Sequence, residues 1–261
     1  MRDVLRLGRW QDALDGVECD ALIVDAPYGE RTHSGHDYGT GSANRSERGW
    51  PRADGSKEPG RDRRAITYAA WTPDDVRAFV DHWSPRTRSW MVSITDDGLQ
   101  QTWKDAMAAH DRYVFAAIPW VAPGSRVRLS GDGPSSWTCW IIVGRPRKGN
   151  DRTGRPYSKW GTLPGAYIVQ SDRDGHIGGK PLALMEAIVR DYSRPGDLVC
   201  DPCAGYGTTL AAALRQGRQA VGSEMDPETH ARGLEYLDRH GRVRDMFEAV
   251  EQVTAGQELP W

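Results

Sequence analysis

Cysteine is scarce. The four thiols, Cys19, Cys139, Cys200 and Cys203, form no disulfide framework in 261 residues. The single Cys-x-x-Cys at 200–203 has no second pair at zinc-binding spacing, so no metal site is expected. Reduced thiols and a cytoplasmic location are the corresponding expectation. No apolar run approaches the ~20 residues of a membrane helix. Met1-Arg2-Asp3-Val4-Leu5 carries no signal-peptide apolar region. An excess of one charge is missing as well: 34 Lys and Arg face 36 Asp and Glu, a net charge of −2. That excludes a uniformly basic, histone-like nucleic-acid binder but leaves room for a locally basic face. Lysine supplies only five of the basic residues, a bias with little functional content. What remains is a chain of 38% apolar residues and mean hydropathy −0.65. It has the size of one large domain or of one domain with an inserted module.

The charge is unevenly placed. Residues 121–180 hold ten basic residues against four acids, and residues 41–64 hold seven against four. Residues 191–261 reverse the sign, with seven basic against twelve acidic. Such runs are commonly solvated loop charge; they also suit a polyanion-binding face built from loops. The stretch from Glu30 to Arg64 is polar, rich in Gly, Ser and Arg, and has no periodicity. A loop of that length inside a domain is functional or disordered. Residues 144–164 are similarly irregular.

Seven strands are predicted: Val4–Leu7, Ala21–Asp25, Trp90–Thr95, Tyr113–Ile118, Trp137–Val143, Leu198–Asp201 and Ala220–Glu224. Helices alternate with them. Thr72-Pro73-Asp74-Asp75 supplies a hydroxyl cap, a proline at the first helical position and two acids at the positive dipole end. Val76, Phe79, Val80 and Trp83 follow on one face. Further helices are expected over Leu99–Ala109, Leu182–Tyr192 and Thr208–Arg215, and from Asp226-Pro227 to His240. The alternation predicts an α/β fold with a doubly wound, seven-stranded Rossmann-like sheet and one antiparallel hairpin between 113–118 and 137–143. Ligands in such sheets bind at the carboxyl ends of the strands near the switch point. Asp25, Asp201 and Glu224 each end a predicted strand. Strands often stop at a turn-forming Asp, but three such acids suit a crevice for a polar ligand.

Two short segments carry chemistry. Asp201-Pro202-Cys203-Ala204-Gly205-Tyr206-Gly207-Thr208-Thr209 joins a strand to a helix. Its glycines allow tight turns and a close approach to a ligand, and the helix start offers free N–H groups. Position 210 is Leu, so the third glycine of the dinucleotide fingerprint is missing, and no Gly-Lys-Ser/Thr follows as in a phosphate loop. A nucleoside-bearing cofactor fits better. Asp25-Ala26-Pro27-Tyr28-Gly29 could be a plain turn. It also presents a carboxylate, a carbonyl fixed before proline and an aromatic ring, which suit an aromatic amine stacked on Tyr28.

Together the two segments resemble the signature motifs of the DNA amino-methyltransferases, which methylate adenine N6 or cytosine N4. The family patterns are Asp/Asn/Ser-Pro-Pro-Tyr/Phe and Asp-Pro-Phe-x-Gly-x-Gly-Thr-Thr. The catalytic motif precedes the cofactor motif here, which resembles the permuted beta class. Lys180-Pro181-Leu182, Pro195-Gly196-Asp197, Val221–Pro227 and Leu7-Gly8 to Leu14 resemble the flanking elements. The chain departs from the pattern at Ala26, Cys203 and Tyr206, and at Arg9-Trp10, where an Asp usually follows the glycine.

The resemblance implies a site-specific DNA methyltransferase using S-adenosyl-L-methionine and acting on double-stranded DNA. A cognate restriction nuclease is then a candidate partner. Glu224 would bind the cofactor ribose. Asp201, Cys203, Gly205, Gly207 and Thr208 would form the rest of its pocket, with Lys180 nearby and Trp10 stacking. The base would be flipped out of the duplex onto Tyr28. Asp25 and the Ala26 carbonyl, fixed by Pro27, would accept its amine hydrogens. Residues 30–67 would be a flexible DNA-contacting loop and 121–178 an inserted basic target-recognition region within a single domain spanning 1–261. Arg126, Arg128, Arg145, Arg147, Arg152 and Arg155 are the candidate DNA contacts. Trp50, Trp160 and Tyr38 are candidates to fill the gap left by the base. Asp at position 25 favours adenine N6. The alternatives are cytosine N4, an RNA or protein amide target, and an inactive cofactor-binding protein that binds DNA.

Overall fold

A computed structural model describes residues 3–30, 32, 50–51, 57–58, 69–124, 134, 136–171 and 179–242. The chain opens with β1 (Leu5–Leu7), the short helix α1 (Trp10–Ala13) and β2 (Ala21–Asp25). A two-stranded antiparallel pair, β3 (Trp50–Pro51) and β4 (Lys57–Glu58), follows. Next come α2 (Pro73–Trp83), β5 (Met91–Thr95) and α3 (Gln100–Ala109). The middle of the chain is β6 (Arg112–Val114), β7 (Ile118–Val121), β8 (Thr138–Pro146) and β9 (Tyr167–Ile168). The last third is α4 (Leu182–Tyr192), β10 (Leu198–Asp201), α5 (Thr208–Arg215), β11 (Gln219–Glu224) and α6 (Pro227–His240).

The main sheet runs β1-β11-β10-β2-β5-β8-β7-β9, with β6 also on β8. The first five strands are mutually parallel, and β8 is antiparallel to β5. Strand order reverses between β10 and β2, where Val199 pairs with Ala21 and Cys200 with Leu22. The buried strands alternate between two cores, as a period of two requires. Ile23, Val92, Ile94, Ile141, Val143 and Val199 face α4, α5 and α6. Leu22, Val24, Met91, Ile142 and Cys200 face α2 and α3, whose Phe79, Trp83, Trp103 and Met107 are buried among them. The doubly wound reading therefore holds.

The hairpin differs in detail from the expected one. The predicted strand 113–118 is two strands, both antiparallel to β8. Val114 pairs with Gly144 and Ile118 with Ile141, so four steps on one strand oppose three on the other. The extra residue is a β-bulge, which breaks the ladder and bends the strand. The described residues of the stretch 121–178 are part of the sheet and its core. Its β8 lies inside the sheet, and Tyr157, Trp160 and Tyr167 are buried in the core.

The helix starts follow their sequence signals. The Thr72 hydroxyl accepts from Asp75 N at 3.3 Å while the Asp75 carboxylate accepts from Thr72 N at 2.8 Å, a reciprocal capping box. Asp226 caps α6 by accepting from Thr229 N at 2.8 Å.

Candidate active site

The three strand-ending acids converge. Asp201 and Asp25 close the adjacent strands β10 and β2, and Glu224 closes β11 on the other side of β10. Burial pushes all three carboxyls above their ordinary range, Asp201 up to about 7. Asp25 and Glu224 each raise Asp201 further by charge repulsion, which places both within electrostatic reach of Asp201. Opposing hydrogen bonds hold the Asp201 carboxylate: Cys203 N donates to Oδ1 at 3.1 Å and the Thr209 hydroxyl donates as well. Glu224 accepts from Asp226 N at 2.7 Å and from Gly205 N.

The loop after β10 is shaped by glycine. Gly205 and Gly207 lie at φ of +52° and +77°, a region that side chains avoid. Gly207 caps α5, which leaves the first N–H groups of Thr208 and Thr209 directed at the loop. A Cβ on Gly205 would meet nothing within 4 Å, so the loop borders open space there. A Cβ on Gly222 would stand 2.5 Å from the Asp201 carbonyl. Only glycine lets β11 approach β10 closely enough for Ala204 N to reach Ser223 O at 2.9 Å.

The turn after β2 is fixed from two sides. Tyr28 Oη donates to Asp25 Oδ1 at 3.3 Å and stands 3.6 Å from Cys139 Sγ on β8. Lys180 Nζ donates to Asp25 Oδ2 and lies 5.1 Å from the Tyr28 ring centroid. Ala26 is buried against the α2–α3 core. Asp96, just past β5, accepts from Gly29 N at 3.0 Å, from the Thr32 hydroxyl at 2.5 Å and from Leu99 N at 3.1 Å. Trp71 N donates to Tyr28 O at 3.1 Å. The chain therefore leaves the turn after Gly29 and returns to it at Trp71. Asp96 and Trp71 were not singled out in the sequence. An acid at the end of β5 followed by a helix was the available signal for Asp96.

Asp25, Ala26, Pro27, Tyr28, Lys180, Asp201, Cys203, Gly205, Gly207, Thr208 and Glu224 are thus assembled at one edge of the sheet. Trp10 sits elsewhere, with ring centroids 4.8–6.1 Å from His82, Phe79 and Trp83. That packing, with its centroids against α2, gives the ring a structural role. Arg145, Arg147, Arg152 and Arg155 are also separated from the crevice. The antiparallel β8 carries the chain from the carboxyl edge, where Trp140 pairs with Thr95, to the amino edge, where Gly144 pairs with Met91. Arg145 and Arg147 stand past that end beside Tyr113, and Arg147 pairs with Asp111 at 3.2 Å. Arg152 binds Asp197 at 3.2 Å and Pro195 O at 2.8 Å, just before β10 begins. Arg155 N closes the same turn on Asp151. Trp160 is buried, with Arg194 3.8 Å above its ring. Arg126, Arg128, Tyr38 and the Trp50 side chain lie outside the described residues.

Among the described residues no helix is long and apolar enough to cross a membrane, and no group of three or more His, Cys, Asp or Glu could hold a metal ion.

Comparison with known proteins identifies related chains and folds. DNA adenine methyltransferase YhdJ of Escherichia coli K12 is 37% identical over 83 residues, 32% of this chain and 28% of that protein. Type II methyltransferase M1.MboII of Moraxella bovis is 45% identical over 53 residues, 20% of each. The chain thus matches less than a third of these relatives' length. The crystal structure of the M1.HpyAVI–SAM complex shares the fold with a TM-score of 0.60 at 17% identity, covering 90% of this chain and 99% of that one. PvuII DNA methyltransferase (cytosine-N4-specific) superposes with a TM-score of 0.54 at 13% identity, covering 89% and 85%. A family model described as DNA methylase, for the N6/N4 enzymes, matches residues 59–234. With about two thirds of its length inside that match, and the acids and glycine loop of the crevice in place, the chain belongs to the N6/N4 DNA methylase family.

Proposed function

We propose that this chain is an S-adenosylmethionine-dependent DNA methyltransferase that modifies the exocyclic amine of a flipped base, with adenine N6 preferred. The observation that carries the reading is the meeting of Asp25 with Asp201 and Glu224 across the β10–β2 switch point. The family match begins at residue 59, so the role of Asp25 rests on this geometry and on the sequence motif around it.

The site suits the cofactor. Open space over Gly205, the free N–H groups at the start of α5 and the Glu224 carboxylate beside them form a cradle for a nucleoside with a charged tail. Glu224 would accept the ribose hydroxyls, and the 201–208 loop would hold the amino-acid end. When bound, the cofactor supplies a methyl group on a positive sulfur, whose C–S bonding pair returns to sulfur as the amine lone pair forms the N–C bond. Tyr28 would stack on the base. Asp25 and the Ala26 carbonyl would accept the amine hydrogens, favouring a nitrogen with its lone pair aimed at the methyl group. The surplus amine proton would leave to water, with Asp25 remaining ionised.

Asp at position 25 and the adenine-specific name of YhdJ support adenine. The type II name of M1.MboII supports a restriction partner. Of the arginines, Arg126 and Arg128 remain proposed DNA contacts. The residues flanking their segment, Ala122 and Trp137, are joined by a 2.8 Å hydrogen bond at the carboxyl edge.

The test is transfer of tritiated methyl groups to mixed-sequence DNA, followed by mass analysis of the digested nucleosides. N6-methyladenine is expected; N4-methylcytosine would move the assignment to the other base, and no transfer would sink it. Asp25→Ala is expected to abolish transfer and leave cofactor binding within about threefold. Equal loss of both would remove Asp25 from the amine-binding role.

A further inference from the structure

Asp25 is held from inside its own crevice. The Lys180 side chain, 9% exposed, comes from the segment before α4 and bonds Asp25 Oδ2. Its Nζ also lies 5.1 Å from the Tyr28 ring and 5.9 Å from the Trp120 ring on β7. Among the described residues, the other carboxylate oxygen, Oδ1, receives the long 3.3 Å bond from Tyr28 Oη. The groups facing Asp25 are otherwise acidic or neutral: Asp201 on β10, the Cys139 thiol on β8, whose Sγ is bonded by Tyr28, and the Cys203 thiol, which burial and the neighbouring acids keep protonated. Among the described residues, the positive charge acting on Asp25 is that of Lys180.

This arrangement splits the labour between the two oxygens. A buried carboxyl among other acids is driven toward its neutral form. The neutral form is a weaker acceptor for an amine N–H, because hydrogen bonds to an ionised group are about twice as strong. An amine arriving from outside finds the less strongly held oxygen at Oδ1, because the tyrosine bond is the weaker of the two. We propose that Lys180 is a positioning residue for methyl transfer: it keeps Oδ2 throughout and maintains Asp25 as an anion, while Tyr28 surrenders Oδ1 to the amine. The inference rests on the reading of Asp25 as the amine acceptor. It assigns Lys180 to the base side of the crevice, where the sequence motif had suggested the cofactor side.

Lys180→Met and Lys180→Arg test it. In the methionine variant the acid limb of kcat is expected to move up by about one pH unit or more, with activity recovered as the pH is raised. The arginine variant retains the charge and should keep the limb within about half that shift. Cofactor Kd should change less than about threefold in both, which also shows that the variants fold. A second readout needs no turnover: carbon-13 NMR titration of the carboxyls in the cofactor-free protein, with Asp25 assigned by its absence in Asp25→Asn. Its titration should shift upward in the methionine variant. An unmoved acid limb and an unmoved carboxyl titration would overturn the proposal. A cofactor Kd raised about tenfold with the limb unmoved would also overturn it, placing Lys180 in the cofactor site. If the wild-type chain transfers no methyl group, the functional reading fails, and the NMR arm still decides the ion pair.

Discussion

At the scale of single residues, the site carries a stability cost that pH can expose. Asp201 is 1% exposed, and its carboxyl is pushed up to about 7 from the usual 3.8, chiefly by burial. Below pH 4 the group is neutral in both folded and unfolded chains and contributes nothing. Between about 4 and 7 the unfolded chain ionises first and binds fewer protons, so stability falls as pH rises; above 7 the loss is complete. At 1.36 kcal/mol per pKa unit, the penalty is on the order of 4 kcal/mol. Asp201→Asn keeps an acceptor oxygen for Cys203 N, and its amide N–H can donate to the Thr209 hydroxyl, which reverses its role. Urea unfolding of the cofactor-free variant should therefore match the wild type at pH 4 and exceed it at pH 8. Parallel curves at the two pH values would mean that Asp201 is not held out of water. The strand-ending position of Asp201 was legible in the sequence because a glycine-rich turn and a helix start follow it. The Lys180–Asp25 pair was not, since the partners lie 155 residues apart and only the tertiary fold brings the segment before α4 to the end of β2.

At the scale of elements, the periodic pieces were the legible ones. α4, β2, β10 and α5 have the ends expected from their patterns, because each couples a clean apolar period to a terminating residue. The bulge between β6 and β7 was not legible, because a one-residue slip in pairing leaves no mark in composition. Nor was the role of Arg112 on β6. Its guanidinium is buried and donates to Ser84 Oγ, Ser84 O, Thr87 O and Ser89 O at 2.6–2.9 Å. Burial lowers its pKa to about 10, so it stays charged at neutral pH. This one side chain saturates the turn between α2 and β5. Arg112→Met would leave three carbonyls and a hydroxyl without that donor, at about 1–3 kcal/mol for each group that water does not reach. The expected loss is about 3 kcal/mol or more in chemical denaturation. Because the turn lies at the amino ends of the strands, cofactor affinity should be unchanged in whatever fraction remains folded. A loss under about 1 kcal/mol would mean that water replaces the arginine.

At the scale of the whole molecule, a basic stretch in sequence is not a basic face in space. Residues 121–180 carry a surplus of positive charge, yet β8 crosses the full sheet within that stretch and sends its two flanks to opposite edges. Arg145 and Arg147 emerge at the amino edge, whereas Arg126 and Arg128 belong to the segment whose flanks, Ala122 and Trp137, meet at the crevice edge. A duplex that presents a flipped base to Asp25 would lie over the carboxyl ends of β2 and β10, the edge at which the flanks of the second pair's segment meet. Each phosphate contact releases condensed counterions and adds about 0.9 to the slope of log K against log salt. Replacing Arg126 and Arg128 together by Gln should therefore reduce the magnitude of that slope by up to about 2 and weaken binding evenly across sequences. The same change at Arg145 and Arg147 should leave both slope and affinity within error. Fluorescence anisotropy with labelled duplex across a salt series measures all of these quantities. The reverse result would put the DNA on the amino edge, where no flipped base could reach Asp25, and would separate DNA binding from the chemistry assigned to the crevice.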